Sequence, residues 1–330
     1  MGFFSTALLS ALLASPSFAA YTLRRNHAGN NFTSAFEFRQ ASDYEFGDPT
    51  RGFVNYVNEA TARSKGLVKV VNNQVYLGAD FSTKVATTAQ GRDSIRLEAK
   101  EAFTNGLLIA DIAHMPGSVC GIWPAFWTFN FDENPYGEID IIEGVSNQAR
   151  NVVSFHTCGT CSFSFTEQER PASCNLGNEA NGCADDDNAN MNYWGCGDTA
   201  PANSFGTPFN NVQGGVYATE ITNTFVKIWF FPRANIPADI KNGNPNPANW
   251  PAPFINAQQS QKGCDVKKYF KNQKVIINTD FCGSNIPQED WDRDTTCKAK
   301  AATCAAYVGG NPAAFSEAYW LFNSLKLYQQ

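Results

Sequence analysis

The chain has 330 residues, 43% of them hydrophobic and 13% aromatic, so it can bury a large core, and an all-β sandwich can reach this size as one domain. Its formal net charge is −6, with 25 lysines and arginines and no basic run, which argues against nucleic acid or an anionic membrane as a partner. We therefore expect an uncharged or small partner.

The N-terminus has the pattern of a secretory signal peptide. Residues 8–13 are apolar, and the small residues Ser17 and Ala19 follow at the spacing that signal peptidase reads. A disordered or membrane-anchored N-terminus is the alternative, because no lysine or arginine precedes the apolar run. We expect residues 1–20 to be a signal peptide, residues 21–330 to form a single domain, and the mature protein to be secreted.

Strand-like runs separated by clusters of Gly, Asn, Pro and Asp recur along the mature chain, which is typical of a β-sandwich or barrel. The runs are GLVKVV, QVYLGA, SIRLEA, LLIADIAHM, AFWTFNF, EIDIIEGV, NVVSFHT, FVKIWFFPR, KVIINTDF and WLFNSLKLYQ. Residues 59–64 and 292–308 favour short helices. The Pro- and Asn-rich residues 233–254 could link two domains, but strand-like runs flank them on both sides, so we expect a long surface loop.

The chain has ten cysteines, which in a secreted protein are expected to form disulfides. Five crowd one stretch rich in Gly, Asn and Asp: Cys158, Cys161, Cys174, Cys183 and Cys196. A zinc site is the alternative there, because HTCGTC places His156 near two of these cysteines at ligand-like spacing. Asn31 begins the sequon Asn-Phe-Thr and is a candidate glycosylation site.

Three acids occupy the strand-like run YGEIDIIEGV. Simple alternation would place Glu138 and Asp140 on one face of the strand and Glu143 on the other. In that arrangement an ionised carboxylate would point into the opposite layer, which is costly unless the charge is paired. A β-bulge at residues 141–142 would return Glu143 to the first face, so we expect a bulge and three acids on one surface.

Carboxylates that share one surface repel each other, and this raises the pKa of at least one of them. Acid/base chemistry at a glycosidic bond requires such a carboxyl, and retaining glycosidases use two carboxyls, one as nucleophile and one as acid. Spacing alone leaves two alternatives open, a solvated acidic surface and a calcium site.

The run GEIDIIEGV, preceded by GIWPAFW, resembles the signature of glycoside hydrolase family 16, in the bulged Glu-x-Asp-x-x-Glu form of its fungal laminarinase-like members. Similar segments follow the order of such enzymes: RGFVNYV, GRDSIRLEA, MPGSVCGIWPAFW, TNTFVKIWFFPR, TDFCG and AYWLFNSLKLYQ. The resemblance implies an all-β fold, a β-jelly-roll sandwich with a concave substrate cleft. It also implies a retaining endo-β-glucanase that hydrolyses β-1,3 and mixed β-1,3/1,4 glucans such as laminarin and lichenan.

The same resemblance assigns roles to the acids. It implies that Glu138 is the nucleophile, that Glu143 is the general acid and then the base, and that Asp140 hydrogen-bonds between them. His156, on the following strand, is implied to lie beside the acid/base; a hydrogen-bonded core histidine is the alternative. No P-loop and no Gly-x-Gly-x-x-Gly after a strand occurs, so we expect no cofactor and no catalytic metal.

Four further residues are candidates for substrate binding. Trp123 and Trp127 resemble the tryptophans that wall sugar subsites in the family, and aromatic rings do stack on the apolar faces of sugars. A buried core pair is the alternative for these tryptophans. Arg96 and Asn55 lie in segments that resemble those reaching the family's cleft, with a structural arginine and a turn asparagine as the alternatives.

Two other functions are compatible with this fold. A cell-wall transglycosylase would use the same three acids, and a non-catalytic glucan-binding protein would usually lack one of them, whereas this chain keeps all three. The Cys-rich residues 158–196 and the segment CGSNIPQEDWDRD differ from laminarinases in length and detail, and such loops decide linkage preference. We expect a monomer that binds β-glucan.

Overall fold

The computed structural model describes residues 20–44, 48–130, 136–157, 161–165, 174–176, 196–259 and 264–330. Residues 1–19 of the predicted signal peptide, and Cys158 and Cys183, lie outside the described residues. The strands of the described part are β1 (Thr22–His27), β2 (Phe36–Arg39), β3 (Val54–Tyr56), β4 (Val68–Val71), β5 (Gln74–Gly78), β6 (Arg92–Ser94), β7 (Arg96–Ala99), β8 (Gly106–His114), β9 (Ile122–Phe129), β10 (Gly137–Glu143), β11 (Val152–Thr157), β12 (Cys161–Phe165), β13 (Cys174–Leu176), β14 (Cys196–Thr199), β15 (Gly215–Ile221), β16 (Phe225–Pro232), β17 (Ile255–Gln259), β18 (Lys274–Phe281) and β19 (Tyr319–Gln329). The helices are α1 (Glu59–Ser64), α2 (Gly206–Asn211), α3 (Ala238–Lys241), α4 (Val266–Tyr269), α5 (Gln288–Arg293), α6 (Thr295–Lys298) and α7 (Cys304–Gly310). None of these helices is long and apolar enough to cross a membrane.

Most of the strands form two antiparallel sheets. The larger sheet has the order β13-β12-β17-β16-β15-β8-β19-β5-β4, and β1 pairs with β19 beside this path. The second sheet, which we call the acid-bearing sheet because it contains β10, has the order β14-β11-β10-β9-β18-β7-β2. Strands β3 and β6 form a short parallel pair. The predicted all-β jelly-roll sandwich is confirmed.

The main core lies between the two sheets. The acid-bearing sheet contributes Phe126, Ile139 and Phe155, and the larger sheet contributes Ile112 and Ile228, all of them fully buried. Burial of each such side chain stabilises the fold by about 1.5–3 kcal/mol. Because side chains alternate along a strand, the other face of the acid-bearing sheet points away from this core and is available for polar chemistry.

Residues 233–254 pack on the outer face of the larger sheet. Ile236, Ile240 and Trp250 are buried there, in one cluster with Trp229 and Phe231 of β16. The Trp250 ring packs edge-on against two rings of β16. Its centroid lies 5.2 Å from that of Trp229 and 5.4 Å from that of Phe231. The segment predicted as a surface loop therefore covers the outer face of the larger sheet and buries apolar side chains against it.

Two disulfides hold the chain that follows β18. Cys282, directly after β18, bonds to Cys304 at the start of α7, and Cys120, before β9, bonds to Cys297 in α6. Trp291 of α5 is fully buried between these links. We call residues 282–310 the disulfide-linked wall. The expectation of disulfides is confirmed for these four cysteines.

Candidate active site

A β-bulge in β10 places the three acids on one face. The strand has one residue more than its partner, since the residues on either side of Ile141 pair with consecutive residues of β9. Glu143 therefore returns to the face that carries Glu138 and Asp140, which is the face directed away from the main core. The bulge predicted from the phase of the acids is confirmed.

Asn151 binds the backbone groups that the bulge leaves without ladder partners. Its Nδ2 donates to the Ile141 carbonyl at 2.8 Å, and its Oδ1 accepts the Glu143 backbone N–H at 2.8 Å. Asn151 is fully buried. Without it, each of the two buried groups would be unpaired at a cost of about 1–3 kcal/mol. Asn151 therefore fixes the strand at the point where Glu143 emerges.

The acids meet His156 of the neighbouring strand β11. The Nε2 atom of His156 lies 3.2 Å from Asp140 Oδ2. In the backbone pairing of β10 with β11, His156 lies opposite Glu138. One donor atom from each of Glu138, Asp140 and His156 lies within 4.8 Å of the others, a spacing at which these described residues could also hold a metal ion. The imidazole Nε2 lies at ion-pair distance from Asp140, so the group forms a buried ion pair beside the Glu138 carboxyl.

Two N–H groups from outside β10 reach the third acid. Trp123 Nε1 donates to Glu143 Oε1 at 2.8 Å, and Asn285 Nδ2 donates to the same oxygen at 3.3 Å. Trp123 belongs to β9, whereas Asn285 belongs to the disulfide-linked wall. One oxygen of Glu143 therefore accepts hydrogen bonds from two separate parts of the chain.

Burial raises the pKa of all three carboxyls, and mutual repulsion adds to this effect, from Asp140 on Glu138 and from Glu143 on Asp140. Burial alone would lower the pKa of His156, but the hydrogen bond and charge of Asp140, with the charges of the other two acids, raise it to about 10. His156 is therefore a cation at neutral pH. The positive charges of His156 and Arg96 lower the pKa of Glu138 and so oppose the effect of burial there. A cluster of this kind can keep one carboxyl protonated while another is ionised.

Trp127 is partly exposed on the acid-bearing face and is held by neighbouring strands. Its Nε1 donates to Asn278 Oδ1 at 2.8 Å, and Asn278 Nδ2 donates to the Tyr56 hydroxyl at 3.1 Å. The buried guanidinium of Arg96 lies 5.1 Å from the centre of the Trp127 ring and donates to Glu98 at 2.9 Å. The structure thus brings Arg96 into the site through Trp127.

Trp123 and Trp127 share a face of β9 but differ in exposure. Trp123 is only 7% exposed and packs in the cluster of the disulfide-linked wall, so it contacts Glu143 through its N–H while its ring is largely covered. Asn55 contacts Asp93 rather than the tryptophans or the acids of β10 in the described residues. Its Nδ2 donates to Asp93 of β6 at 2.6 Å, and alternation places it on the opposite side of β3 from Tyr56. A role for Asn55 in substrate binding stays a prediction.

A second pair of buried acids, not predicted from the sequence, lies on the same face. The Thr50 hydroxyl contacts both Asp48 and Asp280, and each of these carboxyls also accepts one backbone N–H. A hydroxyl has one proton, so Thr50 can donate to only one of the two carboxyls at a time. Burial, followed by the charge of Asp48, raises the pKa of Asp280 well above its usual range. Burial therefore favours the protonated form of Asp280.

Comparison with known proteins adds to this geometry. Residues 41–328 match the family model of an XgeA-like, catalytic GH16 domain. An endo-1,3(4)-β-glucanase of Arthroderma benhamiae is 41% identical over 329 residues, which cover 98% of this chain and 68% of that relative. The chain spans only about half the length of other curated fungal relatives, such as the 46% covered in one from Neosartorya fischeri.

Solved structures of two proteins share the fold at substantial identity. An elongating family 16 β-1,3-glucosyltransferase is 37% identical, with a TM-score of 0.78 over 94% of this chain and 100% of that one. Laminarinase 16A from Phanerochaete chrysosporium, with 6-O-glucosyl-laminaritriose in both donor and acceptor sites, is 35% identical, with a TM-score of 0.79 and the same coverage.

Proposed function

Since this chain belongs to glycoside hydrolase family 16, we propose that it is a retaining endo-β-glucanase that hydrolyses β-1,3 and mixed β-1,3/1,4 glucans. The observation that carries the proposal is the bulged strand β10, which presents Glu138, Asp140 and Glu143 together beside Trp127. Stacking of a sugar on a tryptophan ring next to carboxylates is the arrangement that a glucan cleft requires.

The proposed reaction has two displacements. Glu138 attacks the anomeric carbon while Glu143 gives its proton to the departing glycosidic oxygen, so one C–O bond forms as another breaks. Glu143, now ionised, takes a proton from a water molecule as the oxygen of that water attacks the anomeric carbon, and the bond from the sugar to Glu138 breaks. The imidazolium of His156, 3.2 Å from Asp140, offsets part of the negative charge of the acids, so that one carboxyl can be ionised while another keeps its proton.

The replacement Glu138→Gln tests the nucleophile directly. Glutamine has nearly the same size but cannot form the glycosyl-enzyme, so we expect hydrolysis of laminarin to be lost while the thermal unfolding midpoint stays near that of the wild type. Full activity in this variant would overturn the assignment.

Product analysis tests the substrate class. Laminarin, lichenan and unbranched β-1,4-glucan are each digested, and products are followed by mass spectrometry with proton NMR of the first reducing ends. We expect early mixed oligosaccharides in the β configuration from the first two substrates alone. Release of single glucose units, α-configured first products, or cleavage of the β-1,4-glucan would contradict the proposal.

Transglycosylation is a second candidate, because one structural relative is an elongating β-1,3-glucosyltransferase at 37% identity. In that reaction a sugar hydroxyl rather than water would displace Glu138. Chains longer than the substrate, detected in the same digests, would identify it. Hydrolysis is favoured by the curated fungal glucanases that match at 38–41% identity.

We also propose that the protein is secreted and acts as a single catalytic domain. The proposal rests on the N-terminal apolar pattern of residues 8–13 and on the disulfides, which persist in oxidising compartments. Asn31 of the sequon is exposed, as a glycosylated asparagine must be.

A further inference from the structure

We propose that Asn285 is a positioning residue for the acid/base, which holds Glu143 Oε1 as an acceptor so that the transferable proton is carried by Oε2. This inference rests on the proposed function. It concerns a residue of the segment CGSNIPQEDWDRD, which the proposed reaction does not otherwise use.

The hydrogen bonds at Glu143 distinguish its two oxygens. Oε1 accepts from Trp123 Nε1 at 2.8 Å and from Asn285 Nδ2 at 3.3 Å. The indole N–H of Trp123 can only donate, so Oε1 must accept from it, and the Asn285 amide presents its NH₂ group to the same oxygen. A proton on Oε1 would point at one of them. The protonated form of Glu143 therefore has its hydrogen on Oε2.

The backbone around Asn285 is fixed, so its side chain approaches Glu143 from a defined direction. Cys282 is bonded to Cys304, the Ser284 N–H donates to the Thr50 carbonyl at 2.9 Å, and the neighbouring Ile286 is buried in the wall. The amide thus reaches the acid from a rigid support. This is what positioning a catalytic proton requires.

The charged groups that face Glu143 are Glu138 and Asp140 on its own strand and His156 on β11. Asn285 supplies a neutral donor. An N–H donates more strongly to a carboxylate than to a neutral carboxyl, so it lowers the pKa of Glu143 against the effect of burial. It therefore stabilises the ionised form that exists after the proton has been given to the leaving group.

Replacement of Asn285 by leucine removes the donor at nearly constant side-chain size. We expect the basic limb of kcat/KM against pH on laminarin to move up by about one pH unit, the size expected for a lost hydrogen bond to a charged group. We also expect about a tenfold loss of kcat/KM on laminarin, and less than about a threefold loss on an aryl glycoside of a laminari-oligosaccharide, whose leaving group needs little protonation.

Three further variants complete the experiment. Asn285→Gln retains an amide donor and should restore part of the laminarin activity and the position of the basic limb. Ser284→Ala, one residue away and without a described side-chain bond to Glu143, should match the wild type in both measurements. Asn285→Ala repeats the test with a smaller side chain if leucine lowers the thermal unfolding midpoint.

An unchanged basic limb in Asn285→Leu and Asn285→Ala, or equal losses on laminarin and the aryl substrate, would overturn the inference. Failure of the proposed function has a different signature. In that case wild-type protein would release no glucan products, or Glu138→Gln would remain active.

Discussion

At the scale of single residues, the acid-bearing face stabilises buried acids in two different ways. The acids of β10 share the cation of His156, which lies 3.2 Å from Asp140. Asp48 and Asp280 instead both contact the hydroxyl of Thr50. A cation offsets the charge of ionised carboxylates, whereas a hydroxyl offers a single neutral donor.

The raised pKa of Asp280 makes folding stability depend on pH. The pKa of Asp280 is raised in the fold, so the stability it contributes is complete below its unfolded pKa of about 4 and declines as pH rises towards the folded value. In the variant Asp280→Asn, the new amide accepts the same backbone N–H and donates to Thr50 without needing a proton. We measure the free energy of unfolding of this variant and of the wild type with denaturant at pH 5 and at pH 8. We expect the difference between them to change by at least about 1 kcal/mol in favour of the variant as the pH rises from 5 to 8.

The exposed Asp292→Asn on α5 is the matched control, and its difference from the wild type should stay within about 0.5 kcal/mol at both pH values. A difference for Asp280→Asn that does not change with pH would mean that Asp280 is ionised in the fold.

At the scale of elements, continuous apolar runs were easier to predict than buried strands that contain polar residues. Helix α1 and strand β18 have the bounds predicted from the sequence. Strand β18 is buried on both faces, and its apolar run at residues 275–277 is what marks it as a strand. Strand β15, in the middle of the larger sheet, was not predicted. It is buried along its whole length, since residues 233–254 cover its outer face, and a strand buried on both faces shows no alternation.

Some residues of the candidate site could be predicted from the sequence, and others could not. The phase of three acids in one run predicted the bulge in β10, and the neighbouring motif predicted Trp127. Asn151 and Asn285 were not predicted, because single polar residues on other segments reach β10 only through the tertiary fold. Asp280 had a signal in retrospect, since it alternates with Asn278 on a strand whose paired partner contains both site tryptophans.

Replacement of Asn151 by leucine tests the support of the bulge. The Ile141 carbonyl and the Glu143 N–H would be left buried and unpaired, so we expect a loss of about 2–4 kcal/mol in the free energy of unfolding. Glucanase activity should fall as well, because Glu143 would no longer be fixed. Asn249→Leu, at an exposed position, controls for the substitution itself. A loss below about 1 kcal/mol would show that the bulge has other partners.

At the scale of the whole molecule, the sandwich joins segments that are far apart in the chain. Strand β1 pairs with β19 at the opposite end of the sequence, and Cys120 bonds to Cys297 across 177 positions. The apolar pattern predicted the two layers, but it contains no information on which strands become neighbours or which cysteines pair. The order of the sheets and the position of the disulfide-linked wall beside Glu143 therefore required the structure.

The two disulfides of that wall have a consequence for proteolysis. Arg293 and Lys298 are exposed on it and are sites for trypsin. A cut after either residue leaves Cys282 in the N-terminal piece and Cys304 in the C-terminal piece, which remain bonded. We expect nicked protein to run as one full-length band on a non-reducing gel and as two fragments after reduction; free fragments without reductant would contradict this pairing. The smaller fragment contains β19, the strand between β8 and β5, so a cleaved chain would remain one molecule with its larger sheet intact.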